Sequence, residues 1–381
     1  MSRIVCVLKT CEGGRWAVPQ MLECRSRGHE IAFVIPPGDG RLRRLLDNEG
    51  VEVLESRFDF SFRPSIGLPI GLWRLRRQLR QMAPDVVFYH LIASALAVRI
   101  ATLFMRARRV HMVAGPLYLE SPPIRFIERL LVRLDDVLVA GSEHTAVLYR
   151  ELGMPPSRVI AIPYGTDIRW FEKGPDQRED LFGAEVGDFI AIMVAYVYAP
   201  KSSVYPGTGI KGHETLLEAW RLFAANKPDA HLVLVGSGFD SEGEDYRRRL
   251  FSKLGVDDHP RIHWFSSVVD VRPFYSSADV SVSPSLSENH GAALEASAMG
   301  CPSIVSDAGA LPEAVVRGLS GWVVPKADVG ALVAALEMAY EARDGTALAS
   351  MGSAARRHIE IHFDQADCSS RVADVLLGGV R

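Results

Sequence analysis

The sequence lacks the features that most directly tie a chain to a membrane, a metal or a nucleic acid. No apolar run approaches the roughly 20 residues of a membrane-crossing helix. The opening stretch from Met1 to Lys9 has too brief an apolar segment for a signal peptide, so a cytoplasmic protein is expected, with any membrane contact peripheral. The five cysteines, Cys6, Cys11, Cys24, Cys301 and Cys368, include no Cys-x-x-Cys pair, which argues for reduced thiols over a disulfide framework or a zinc site. No Asp-x-Asp motif lies at a plausible site, so no bound metal is expected. Charge of one sign is scarce in excess: 43 Lys and Arg against 46 Asp and Glu give a formal net charge of -3, no overall attraction for nucleic acid, and none is expected as a partner. Low-complexity tracts and short-period repeats are also missing.

What is present is the make-up of a folded enzyme. At 381 residues the chain exceeds the size at which one core stops growing, and 48% hydrophobic with 23% charged residues is ordinary for a globular protein. Short runs rich in Val and Ile alternate with stretches of helical period, the pattern of an α/β fold with parallel sheets covered on both faces. Strands are predicted at residues 4–8, 31–35, 51–54, 86–89, 110–113, 136–140 and 159–162, with helices at 17–27 and 41–49 among the connections. Between residues 171 and 188 the pattern lapses into charged, Gly- and Pro-containing sequence, as in an interdomain connection. A second series follows, with strands at 189–194, 231–235, 262–265, 280–283, 303–305 and 321–323. Two doubly wound domains in tandem are expected to face each other across a cleft at the carboxyl ends of their strands, where open parallel sheets bind ligands.

The segment Pro284-Ser-Leu-Ser-Glu-Asn-His-Gly-Ala-Ala-Leu-Glu-Ala-Ser-Ala-Met-Gly-Cys-Pro302 carries the strongest chemical signal. It follows a strand and opens a helix near Gly291. A turn of small residues lets the backbone approach a diphosphate, and the free N–H groups of a helix start favour that anion. His290, Gly291 and Ala292 stand at this turn, and Glu295, inside the helix, can accept hydrogen bonds from sugar hydroxyls. Lys211-Gly212 precedes a helical pattern in the second domain, and Gly13-Gly14 follows the first strand. The glycine pair suits either a close approach to donor or acceptor or a tight strand-to-helix connection.

The same segment resembles the Glu-x7-Glu signature of retaining GT-B glycosyltransferases of family GT4. The resemblance extends to Glu12-Gly-Gly14, Arg27-Gly-His-Glu30, the stretch Ile162 to Phe171, Lys211-Gly, Val235-Gly-Ser-Gly238 and Leu311-Pro-Glu313, in the family's order over nearly the whole chain. It implies an acceptor domain at 1–171, a nucleotide-sugar donor domain at 172–353, and a helical segment at 354–381 that crosses back. It also implies Glu288 facing the donor sugar, Glu295 holding the ribose, Lys211 with Lys201 against the diphosphate, backbone at Val269 reading the base, and His90 facing substrate. The implied reaction moves a hexose, with retention, from a nucleotide-diphosphate sugar, UDP- or GDP-linked, to a saccharide, lipid-linked or small-molecule acceptor in bacterial polysaccharide or glycoconjugate assembly.

Three departures mark this chain. Six residues instead of seven separate Glu288 from Glu295, no arginine stands in Val194-Ala-Tyr-Val197, and Ala114-Gly-Pro116 replaces a histidine at a strand end, His111 lying out of register. Two other classes share the architecture: a nucleotide-sugar epimerase, which needs further carboxylates and histidines, and a non-catalytic nucleotide-sugar binder. One more stretch stands apart. In Leu72-Trp-Arg-Leu-Arg-Arg-Gln-Leu-Arg80, Leu72, Leu75 and Leu79 share a helical stripe and four arginines lie mostly around the other side. Residues 72–80 suit either a sheet-covering helix with a solvated face or peripheral contact with anionic lipid.

Overall fold

The computed structural model describes residues 1–63, 65–115, 117–200, 205–343 and 345–378. The chain forms two compact units, one of Met1–Gly165 with Gln365–Arg381 and one of Thr166–Asp364.

The first unit is built on a seven-stranded sheet in the order β3-β2-β1-β4-β5-β6-β7, comprising β1 (Arg3–Val7), β2 (Glu30–Ile35), β3 (Glu52–Glu55), β4 (Val86–His90), β5 (Arg108–Val113), β6 (Val137–Ala140) and β7 (Val159–Ala161). Every pairing is parallel. The strands read as continuous apolar runs because both faces are covered. Ile4, Cys6 and Phe88 pack in one core with residues of the helix Val18–Ser26 and Cys368, Val372, Ala373 and Leu376 of the helix Gln365–Leu376. Val5, Val7, Val87 and Tyr89 pack on the opposite face with Leu75 and Leu79 of the helix Gly67–Met82 and Val98 of the helix Ile92–Ala101.

The second unit repeats the plan with six parallel strands in the order β10-β9-β8-β11-β12-β13, comprising β8 (Phe189–Val194), β9 (Ala230–Val235), β10 (Ile262–Phe265), β11 (Val280–Ser283), β12 (Ser303–Ser306) and β13 (Gly321–Val324). The strand order reverses between β1 and β4 in one sheet and between β8 and β11 in the other, so the loops after these strands border each sheet's switch point.

Both expected domain limits move. Residues 166–171 belong to the second unit, because Ile168 and Phe171 pack against its core and the Arg356 guanidinium donates to their carbonyls at 2.9 and 2.5 Å. The return to the first unit comes at residue 365 and not 354. The helix Ala347–His362 is held by Ile359 and Phe363 against Ala293, Leu294 and Ala298 of the second unit, and a side-chain carbon at Gly352 would stand 2.1 Å from the Gly300 carbonyl oxygen. Only Gln365–Leu376 packs with the first unit, where Asp374 meets Arg27 at 2.6 Å.

Candidate active site

At the switch point of the second sheet, two loops are stitched together. The Leu286 N–H donates to the Ile210 carbonyl at 2.8 Å and the Tyr205 hydroxyl to the Leu286 carbonyl at 2.9 Å. Glu214 accepts from the Gly209 N–H at 2.7 Å and so fixes the turn before Lys211. The glycine after that lysine is obligatory: Gly212 has φ 75°, and a side-chain carbon there would stand 2.1 Å from the Pro284 carbonyl oxygen. Glu288 is pinned from behind by Gly309, where a side-chain carbon would lie 2.0 Å from the Glu288 carbonyl oxygen, and that oxygen accepts from the Ala310 N–H at 3.2 Å.

The consequence is that Lys211 Nζ donates to Glu288 Oε2, an ion pair between two largely buried side chains. Gly291, at φ 51°, leads into the helix Ala292–Ala298, and its α-carbon region is pressed on the Glu288 carboxylate, which would be 3.1 Å from a side-chain carbon at 291. Where an arginine is missing after β8, an aromatic group stands instead. Tyr198 stacks on Phe239 with centroids 4.6 Å apart, Tyr196 meets Phe239 edge-on, and Lys211 Nζ lies 5.9 Å from the Tyr198 ring centre. Burial, followed by the Glu288 carboxylate, pushes the Tyr198 phenol up to about 12, so it stays a neutral hydroxyl. Sequence reasoning missed this group; the Tyr-x-Tyr alternation directly after a strand was its only trace.

Glu295 sits one turn into the helix, its carboxyl group with no hydrogen-bonded or ionic partner among the described residues, near the Tyr275 ring. Although it keeps some accessible surface, desolvation pushes its carboxyl up to about 7. A carboxylate held so, with acceptor atoms and no cation, suits a neutral ligand rich in hydroxyl donors.

The other candidates are distributed as follows. His290 is buried against Phe363, with Nε2 3.6 Å from a Glu313 carboxylate oxygen, so it backs the loop and does not face outward. Ala292 begins the helix, and Val269 is fully exposed in the loop after β10. Lys201 lies outside the described residues, as does Pro116. In the first unit, Gly14 has φ 93° and opens a 3-10 turn, while the Gly13 N–H donates to Thr10 Oγ1 at 3.3 Å. His90, expected to face substrate, is instead wholly buried: Nδ1 pairs with the Tyr164 hydroxyl at 3.0 Å, and burial holds it neutral, down to about 3. His111 belongs to a separate buried network in which Arg99 meets Asp135 at 2.6 Å, Glu128 at 2.5 Å and His111 Nδ1 at 3.2 Å. Among the described residues no group of three or more His, Cys, Asp or Glu is assembled in a way that could hold a metal ion.

Two parallel doubly wound units with a charged, glycine-bound loop pair at a switch point define an α/β class in which ligands bind beyond the carboxyl ends of the strands. Residues 14–165 match the glycosyl transferase 4-like domain and residues 208–358 match glycosyl transferases group 1. D-inositol 3-phosphate glycosyltransferase of Corynebacterium efficiens is 32% identical over 218 residues, which is 54% of this chain and 48% of that protein, so the match spans about half the relative's length. Anabaena Alr3699/HepE in complex with UDP-glucose superposes with a TM-score of 0.79 at 17% identity over 99% of this chain and 100% of that one. Sucrose-phosphate synthase from Thermosynechococcus elongatus gives 0.80 at 19% identity, covering 99% of each chain. The chain belongs to the GT4-like glycosyltransferases of the GT-B fold.

Proposed function

We propose that the protein is a retaining glycosyltransferase that moves a hexose from a nucleotide-diphosphate sugar to a hydroxyl of a saccharide, lipid-linked or small-molecule acceptor. The second unit takes the donor and the first the acceptor, in bacterial polysaccharide or glycoconjugate assembly. The observation that carries the reading is the Lys211–Glu288 pair at the switch point of the second sheet. In the ligand-free site each charge neutralises the other. A diphosphate entering beside Gly291 exchanges with the carboxylate for the lysine, which leaves Glu288 free to accept from the sugar hydroxyls. Lys211 then stabilises the negative charge that grows on the leaving phosphate, and with that charge met by an ammonium the reaction proceeds without a bound metal. Glu295 accepts from the ribose hydroxyls.

In the retaining course the departing phosphate receives the acceptor proton, so no side chain is assigned as general base. UDP-glucose, the ligand of the Anabaena structure, is the first donor to try. The test is thermal stabilisation by UDP-, GDP-, ADP- and dTDP-sugars with EDTA present, since a ligand of the folded state raises the melting temperature. One selective shift, lost in Lys211→Ala and Glu295→Ala, supports the donor site; no shift with any donor refutes it. For the catalytic step, Lys211→Ala is expected to lower turnover by on the order of 10²–10³, the scale of losing a charge-stabilising group. Proton NMR of the product's anomeric signal, α from an α-donor, decides retention.

A further inference from the structure

Building on the reading of the second unit as a nucleotide-sugar site, we propose that the Tyr198 hydroxyl is a second hydrogen-bond donor to the leaving diphosphate, beside Lys211. The ring is brought to the site by backbone pairing that outlasts the strands. Beyond β8 and β9 the two loops stay in register: the Val197 N–H donates to the Ser237 carbonyl at 3.0 Å and the Phe239 N–H to the Val197 carbonyl at 2.9 Å. Gly236, at φ 144°, permits this approach, since a side-chain carbon there would stand 2.1 Å from the Ala195 carbonyl oxygen. Val197 is buried, so Tyr196 and Tyr198 on either side of it turn the other way, where Phe239 lies on Tyr198 with 22° between the ring planes. A ring stacked on an aromatic neighbour and carried on paired backbone holds its hydroxyl in one place.

Three observations give that hydroxyl its role. Tyr198 is half-buried, yet its hydroxyl has no hydrogen-bonded partner among the described residues, although a tyrosine so placed ordinarily finds one. It stands among the groups that meet the donor: Lys211 Nζ lies 5.9 Å from the ring centre, and the Glu288 carboxylate is near enough to act on the phenol's ionisation. It is also kept in the donating form. Burial first, then Glu288, Tyr196 and Asp240, all oppose loss of the proton, whereas a diphosphate offers only acceptor oxygens.

No arginine stands in Val194-Ala-Tyr-Val197, and a phenol differs from one in offering a single directed donor without charge. The two kinds of donor then divide the work. Lys211 supplies the positive charge, and Tyr198 supplies direction. When the bond from the sugar's anomeric carbon to the diphosphate breaks, its electron pair goes to the phosphate oxygen, the acceptor oxygen bonds to that carbon, and the acceptor's proton passes to the departing phosphate. Tyr198 keeps its own proton throughout, and its hydrogen bond strengthens as negative charge grows on the diphosphate. Packing against Phe239 alone would need the ring and not the oxygen.

The experiment compares Tyr198→Phe with wild type on the nucleotide-sugar that wild type selects and on the nucleoside diphosphate and monophosphate of the same base, UDP-glucose, UDP and UMP first. Turnover is read as release of the diphosphate, with and without an acceptor. Phenylalanine keeps the ring and its stack and removes only the oxygen, so the melting temperature should hold. Turnover should fall by at least about tenfold, the lower end of the effect of losing one donor to a developing anion. Diphosphate affinity should fall by about tenfold and monophosphate affinity by less than about threefold, because the leaving oxygen belongs to the phosphate that the monophosphate lacks. Tyr340→Phe, which removes a hydroxyl bound to Asp229 at 2.7 Å, should turn over as wild type. A fluorinated tyrosine at 198, whose phenol ionises at lower pH, should bring the alkaline loss of turnover to lower pH than in wild type, which packing alone does not do.

Wild-type turnover and diphosphate affinity in Tyr198→Phe overturn the proposal and leave the donor site standing. So does an equal loss of diphosphate and monophosphate affinity, which would place the hydroxyl on the nucleoside. A wild-type protein that no nucleotide-sugar stabilises overturns it together with the reading of the second unit on which it rests.

Discussion

Glu295→Gln should make the protein more stable while spoiling its donor site. Burial raises the Glu295 carboxyl from 4.5 to about 7, so between these values the folded state binds a proton that the unfolded state releases. A folded-state pKa above the unfolded one gives stability that is fully present below pH 4.5 and is lost as pH rises through 7. The shift of about 2.5 units corresponds, at about 1.4 kcal/mol per unit, to roughly 3 kcal/mol, and to about 2 after allowing for the side chain's partial exposure. Glutamine keeps the shape and removes the charge. Urea unfolding of the second unit should show the variant more stable than wild type by about 2–3 kcal/mol at pH 8 and by about 1 kcal/mol or less at pH 5, where wild type is itself mostly protonated. The nucleotide-sugar affinity should fall by at least about tenfold in the variant. In wild type that affinity should rise with pH through 7, because hydroxyl donors favour the ionised carboxylate. A variant no more stable at pH 8, or a gain that does not vary with pH, refutes the assignment of an enclosed, unpaired carboxyl.

Three further outcomes follow from the packing. Gly212→Ala forces a left-handed backbone and a clash with Pro284; it should cost more than about 2 kcal/mol in urea unfolding, and any folded fraction should lose the donor-induced thermal shift. Arg99→Met leaves Glu128 and Asp135 buried without their cation, and should lower the first unit's stability by about 3–5 kcal/mol, read from the denaturant midpoint. Burial holds His90 and His213 neutral, each down to about 3, so their contribution is present above pH 6.5 and is lost as pH falls toward 3. His90→Gln should flatten the acid limb of wild-type unfolding by up to about 1.4 kcal/mol per pH unit.

Most strands were readable because they are buried on both faces and bounded by glycine or charge, β3 and β10 being only partly buried: all thirteen predicted positions coincide with strands, and most ends agree within a residue or two. The glycine of Lys211-Gly212 was visible as a motif, but its necessity arises from Pro284, 72 residues away, and only the folded chain brings the two together. Gly309 left no signal for the same reason. His90 was misread because a histidine ending a strand gives no sign of whether its ring turns to solvent or, as here, inward between Phe88 and Tyr164. The boundary at 353 failed because the helical pattern from Ala347 runs on to His362; only the packing of Ile359 and Phe363 reveals which core it completes.

The return helix Gln365–Leu376 sets an order of assembly on the ribosome. The second unit is one unbroken segment and has everything it needs once residue 364 has emerged. The first unit, although synthesised earlier, cannot close its core until Cys368, Val372 and Leu376 arrive to cover the helix Val18–Ser26. The portion made first therefore finishes folding last, and until then it carries an open apolar seam. A chain truncated after residue 364 would hold a completed second unit beside a first unit that chaperones and proteases can still grip.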